Sequence, residues 1–239
     1  MRLPLLLSGA LLSVGVFLSL KLPRLEVSSA HAADKSSGNG CRLQEPQRFL
    51  QRSAYVKHGQ LQEWRHKKAV RFRAETYGGV EGLEQLERYN SELAYSHAKA
   101  VGFMGLGIEL HEKIAPAVRC VERRIKKTCT KKSEQYKPQA MNGFRKRNTF
   151  RGLEISNHVF GIALDIDPDR NPCCGCVKPW PDHPACQGEA ESVFQRTALP
   201  RCWIDAFERY GFYWLGRDPE LRDTMHFEFL GNPDRILAP

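Results

Sequence analysis

Eight cysteines, all beyond residue 40, constrain what this 239-residue chain can fold into more than any other feature. They are Cys41, Cys120, Cys129, Cys173, Cys174, Cys176, Cys186 and Cys202. The N-terminus predicts an oxidising compartment for them. Arg2 precedes an apolar run from Leu3 to Leu20, and Ala30-His31-Ala32 is a small-x-small cleavage pattern, so residues 1–32 read as a secretory signal peptide cut before Ala33. The same run is long enough to be retained as an N-terminal membrane anchor. Either way the domain is exported, to the periplasm or the extracellular space, and an even cysteine count there predicts up to four disulfides. The rival use is a metal site of Cys173, Cys176, His183 and Cys186, which would need thiolates to survive oxidation. Adjacent Cys173 and Cys174 are expected to pair outward, because a ring between neighbours is strained. Cys41 is expected to tie the N-terminal segment to the domain, and the Cys173 to Cys202 group to staple the loop around it.

With 41% hydrophobic and 26% charged residues the chain can bury a core, so a disordered or collagen-like protein is excluded. The formal charge of +9, or +7 without residues 1–32, favours anionic partners without choosing among them. No zinc-finger spacing, helix-turn-helix pattern or aromatic RNA-binding motif accompanies it, so nucleic acid is not an expected partner. A membrane partner is expected only if the N-terminal segment is retained, and the domain is expected to be a monomer.

Three regions follow the signal segment. Residues 33–79 comprise a glycine- and serine-rich linker (33–40) and a basic, Gln-rich stretch with no clear period. Residues 80–239 read as the main domain with preceding helices. Leu83, Leu86, Leu93, Ala94 and Val101 recur at three- and four-residue steps and predict a helix over 80–101, broken by the glycines of 102–107. Ile114, Val118, Val121 and Ile125 predict a second over 109–127, with Pro116 kinking it or marking its start. Residues 159–167 alternate as a strand does, as do the shorter 226–230. A Cys-, Pro- and Gly-rich insertion, 171–188, lies between them, followed by a helix near 202–210. Helices followed by strands, without a βαβ rhythm, predict an α+β fold with an antiparallel sheet, flanking helices and a helical N-terminal part.

The chemistry-bearing residues gather in that last region. Asp165 shares a strand face with Ala163 and Gly161, which leave space beside a carboxylate. His158 stands seven residues earlier, where Gly161 lets the backbone bend, and His226 opens the second strand. Two imidazoles and a carboxylate suit catalytic zinc, with a fourth position left for water. Asp223, on the turn entering the second strand, is the candidate general base. Taken singly, these are also the residues of a packed histidine and a polar turn.

Ser156-Asn157-His158-Val159-Phe160-Gly161-Ile162-Ala163-Leu164-Asp165 matches Ser-x-His-x-x-Gly-x-Ala-x-Asp, and Asp223-Thr224-Met225-His226-Phe227-Glu228 matches Asp-x-x-His-Phe-Glu. The pair resembles the zinc D-alanyl-D-alanine carboxypeptidase and L-alanyl-D-glutamate endopeptidase family of peptidoglycan peptidases, over about residues 141–230. The resemblance implies a Hedgehog/DD-peptidase-like zinc fold. It implies one Zn2+ held by His158, Asp165 and His226, with Asp223 as catalytic carboxylate and peptidoglycan stem peptides as substrates. Gly143-Phe144-Arg145 resembles the family's Gly-Tyr-Arg segment, which implies that Arg145 binds substrate or stabilises the oxyanion; Arg147 and Arg151 are the neighbouring alternatives. Glu228 and Ser156 are candidates to orient the site. Asp rather than Glu three residues before the last histidine resembles the endopeptidase branch. The competing expectation is a non-catalytic, zinc-containing wall-binding or interaction module.

Overall fold

The computed structural model describes residues 40–149 and 154–238. The expected signal peptide, residues 33–39 of the linker, and Arg151 lie outside the described residues. Among those described, no helix is long and apolar enough to cross a membrane.

The architecture is α+β. A short helix α1 (Arg52–Tyr55) leads into a minimal hairpin of β1 (Val56–Lys57) and β2 (Gln60–Leu61), then into the long helix α2 (Glu63–Tyr77). One turn of helix, α3 (Glu84–Glu87), precedes a second hairpin, β3 (Ala98–Phe103) with β4 (Leu106–His111), and then helix α4 (Ala115–Thr128). The main sheet is antiparallel with order β5-β6-β8-β7: β5 is Met141–Asn142, β6 Ala163–Ile166, β7 Phe212–Trp214 and β8 His226–Phe229. Helix α5 (Arg201–Glu208) stacks Phe207 on Phe227 of β8 with ring centroids 4.2 Å apart, and Trp203 meets Phe103 of β3 edge-on. One aromatic core therefore joins the sheet to the β3–β4 hairpin.

Three expected elements differ. The helix over 80–101 is reduced to Glu84–Glu87, and Ala98–Phe103 is a strand. The helical N-terminal part therefore contains a β-hairpin. Met104 and Gly105 both take positive φ, the two-residue turn whose twist suits a hairpin. The residues on either side of it alternate, with Val101, Phe103, Ile108 and Leu110 inward. Helix α2 was hidden for the opposite reason. Its buried face, His66, Ala69, Val70, Arg73, Ala74 and Tyr77, has helical spacing, but two of its six members are polar. The predicted second helix starts at Ala115, with Pro116 in its first turn, because residues to His111 belong to β4. The strand predicted over 159–167 is confined to Ala163–Ile166, its first half being a 3-10 turn.

All eight cysteines pair: Cys41–Cys120, Cys129–Cys202, Cys173–Cys176 and Cys174–Cys186. Neighbouring Cys173 and Cys174 turn outward, and Cys41 anchors the N-terminal segment on α4. Cys202 departs from expectation: it ties α5 to the end of α4 instead of stapling the insertion. The two long-range bridges close separations of 79 and 73 residues, each worth about 4 kcal/mol of loop-closure entropy. The rival Cys-rich metal site is excluded. Its three cysteines lie in two of these disulfides, and His183 Nε2 is engaged by the Asp169 carbonyl at 2.9 Å.

His111 is fully buried and fixed as a neutral ring: Nε2–H donates to the Tyr77 carbonyl at 2.9 Å, while Nδ1 accepts from the Lys113 amide at 3.1 Å. Burial pulls its pKa down to about 4. The unfolded chain then binds the extra proton between pH 6.5 and 4, so stability falls as pH drops through that window. We expect a loss on the order of 2 kcal/mol from this residue, read from urea melts at pH 7 and pH 4.5. A His111→Gln variant with the same pH slope as the native chain would disprove the assignment.

Candidate metal centre and cleft

The main sheet sets the site. Register places Asp165 of β6 directly opposite His226 of β8, so the two side chains share one face. His158 comes from the 3-10 turn Asn157–Phe160 that feeds β6. Ser156 Oγ caps this turn by accepting the His158 amide at 3.3 Å. Gly161 ends it at φ +66°, where a Cβ would run into the Phe144 ring and stand 2.8 Å from the His111 amide nitrogen. Only glycine allows the chain to double back there and bring His158 over the strand.

The three side chains converge through single atoms. Asp165 Oδ1 lies 2.9 Å from His226 Nδ1 and 3.2 Å from His158 Nε2, and the two nitrogens are 3.2 Å apart. Tetrahedral donors about 2.0–2.1 Å from a zinc ion stand roughly 3.3 Å from one another, so this triangle fits the ion closely. The outer atoms are also engaged as metal ligands require. His158 Nδ1–H donates to the Gly143 carbonyl at 2.5 Å, leaving Nε2 as the donor lone pair. His226 Nε2 lies 3.5 Å from Glu228 Oε2, and Asn157 donates to the same oxygen. Arg145 Nη2 holds Asp165 Oδ2 at 2.5 Å, leaving Oδ1 to face the histidines.

The charges are mutually dependent. Burial pushes His226 down, but its hydrogen bonds to Asp165 and Glu228 outweigh this and raise it to about 10. Burial pushes Asp165 up, yet the charges and hydrogen bonds of His158 and His226 hold it well below the usual carboxylate range. Glu228 follows the same pattern, burial being outweighed chiefly by its bond to His226. Asp223 differs: burial first, then the Asp165 charge, raises it to about 7, against the pull of His226 and Arg145. Its Oδ1 is shielded and has no hydrogen-bond partner.

These groups open on a cleft of about 490 Å³. Arg145, His158, Asp165, Asp223 and His226 line it, as does Met225. The Cys-rich insertion contributes Cys173, Gly175, Cys176, Val177 and Trp180. Glu228 and Ser156 do not line the cleft; they contact His226 and the His158 amide from behind it. Asp167, from the same polar run as Asp165, serves the fold instead. Its carboxylate accepts from Tyr136 Oη and the Gln139 and Ala140 amides at 2.6–2.7 Å, fixing the chain before β5.

Sequence reasoning missed three contributors. Asn157 stood within the first motif, and its place beside His158 was an available signal. The Gly143 carbonyl is a backbone atom with no sequence signature. Arg52 of α1 reaches the cleft wall from about a hundred residues away, held by Glu154 at 3.0 Å through two nitrogens, by Glu220 at 3.0 Å and by Asp218 at 3.3 Å. Nothing in its basic surroundings distinguished it.

A buried His–Asp–His set with a carboxyl poised near neutrality beside it defines a candidate catalytic centre for a divalent metal. Residues 151–229, about a third of the chain, match the family model of D-alanyl-D-alanine carboxypeptidase, in agreement with the resemblance drawn from the two motifs. His158, Asp165, Asp223 and His226 lie inside the matched segment, and Arg145 lies before it. Searches among curated proteins and among solved structures each gave no match.

Proposed function

We propose that the chain is an exported zinc peptidase that hydrolyses peptidoglycan stem peptides. The observation that carries the reading is the convergence of His158, Asp165 and His226 on one point beside Asp223, all four lining one cleft and lying within the family-matched segment. His158 Nε2, Asp165 Oδ1 and His226 Nδ1 would hold the ion. Bound there, zinc supplies Lewis acidity toward the scissile carbonyl and makes water a competent nucleophile near neutral pH. Asp223 takes the proton from the attacking water and returns it to the leaving amine, a role suited to a carboxyl that burial raises toward 7. Arg145 binds Asp165 Oδ2 so that Oδ1 faces the two histidines, and its partly exposed guanidinium is within the cleft to meet a developing oxyanion. The four disulfides agree with an oxidising, exported location.

The Asp223-x-x-His226 form favours endopeptidase cleavage over removal of a terminal D-alanine. Incubation with defined stem pentapeptides and identification of the products by mass tests both points. Internal cleavage is expected. Free D-alanine alone would make the chain a carboxypeptidase, and no product from a zinc-loaded protein would leave a binding module. Arg145→Ala is expected to weaken zinc about 10–100-fold, the usual cost of removing a partner that orients a ligand, and to slow turnover. Zinc titration against a competing chelator measures it. Native affinity and rate in that variant, with a loss in Arg147→Ala, would move the role to Arg147.

A further inference from the structure

We infer that the disulfide-closed turn Cys173–Cys176 is a positioning device for Asp223; this rests on the role proposed above for that carboxylate. The turn and the segment carrying Asp223 are zipped together. Cys173 pairs with Asp223 in an antiparallel bridge, the Gly175 amide donates to the Leu221 carbonyl at 2.7 Å, and the Thr224 amide and hydroxyl both donate to the Pro172 carbonyl, at 3.1 and 2.9 Å. The two sulfurs and an oxygen of Asp223 all lie within 4.8 Å of one another. The approach is backbone against backbone: a Cβ on Gly175 would collide with the Glu220 carbonyl oxygen and fall 2.6 Å from that of Leu221.

Asp223 needs such support. Arg222 before it sits at φ +47°, a conformation that a non-glycine residue keeps only where its surroundings impose it. The carboxylate bonds the Met225 amide, but Oδ1 has no partner, so packing against the turn sets its direction. A general base displaced by about 1 Å can lose on the order of 10²-fold in rate.

The test uses the full-length chain carrying Gly175→Ala, or Cys173→Ala with Cys176→Ala, each alone and combined with Asp223→Asn. Alanine replaces chemical reduction because thiols freed beside Asp223 are themselves zinc ligands. Zinc content, kcat and KM on a stem peptide are measured, and the native chain and the variant lacking the Cys173–Cys176 bridge are crystallised. The expected result is unchanged zinc, KM within about threefold, kcat lower by about 10–10²-fold, and no further loss in the Asp223→Asn background. An equal loss in both backgrounds, or native kcat in both variants, would overturn the inference. If Gly175→Ala does not fold, the cysteine variant carries the comparison. If the native chain cuts no stem peptide, the proposed function fails while the crystal structures still decide the inference. A carboxylate moved by about 1 Å supports it, and one within about 0.5 Å of its native place overturns it.

Discussion

Asp223→Asn is expected to lower kcat by about 10²–10⁴-fold while zinc content and melting temperature stay at native values. The substitution keeps the size of the side chain and removes only its capacity to take a proton. Asp223 is not among the converging donors His158, Asp165 and His226, so the ion should remain. Loss of a partly buried carboxylate raised to about 7 removes an unfavourable charge, which argues against a large stability cost. Glu228 is the substitute that the Asp-x-x-His-Phe-Glu motif suggests, but it is buried against Asn157 and His226 and does not line the cleft. Turnover within about tenfold of native would show that another group moves the proton and would break the proposed mechanism.

His226→Ala should have the widest effect. Zinc is expected to fall from one per chain to below about a tenth, with hydrolysis undetectable, because two donors remain where three are needed. Asp165 and Glu228 would also be left facing one another without the ring between them, two buried carboxylates each losing a partner. A drop of several degrees in melting temperature should follow. The control is the variant lacking the Cys173–Cys176 disulfide, which should keep its zinc. Metal analysis of both proteins decides the matter: zinc retained in His226→Ala would place the ion elsewhere.

The depth of the site explains why the three converging residues were legible and their supports were not. His158, Asp165 and His226 are short-range motif residues whose spacing and order can be read along the chain. The groups that orient them arrive from distant segments. Gly143 follows β5, and Arg145 stands on the same loop, pinned by its own amide to the His158 carbonyl at 3.1 Å. Arg52 comes from α1, and the wall beside Asp223 comes from the insertion. A backbone carbonyl or a lone arginine has no periodicity, so no pattern announces it.

Elements sort in the same way. Helix α5 and strand β8 were visible because one face of each is strongly apolar, Trp203, Ile204 and Phe207 on the first and Phe227 and Phe229 on the second. Helix α2 was invisible because Arg73 and His66 take core-face places that hydrophobic patterning assigns to solvent. The helix expected over 80–101 arose from Leu83, Leu86, Leu93, Ala94 and Val101 at helical steps; from Ala98 on, hairpin pairing with β4 overrode that spacing through cross-strand hydrogen bonds that no local window contains.

By itself the sequence determined the α+β class, the oxidised cysteines, the two motifs and their order, because each depends on composition or on neighbours within about ten residues. Only the tertiary structure decided which cysteines meet, that Asp165 lies in register with His226, and that a turn of the Cys-rich insertion backs Asp223. These depend on distances between residues far apart in the chain, which are fixed when buried surfaces pack and backbone groups find partners, and not before.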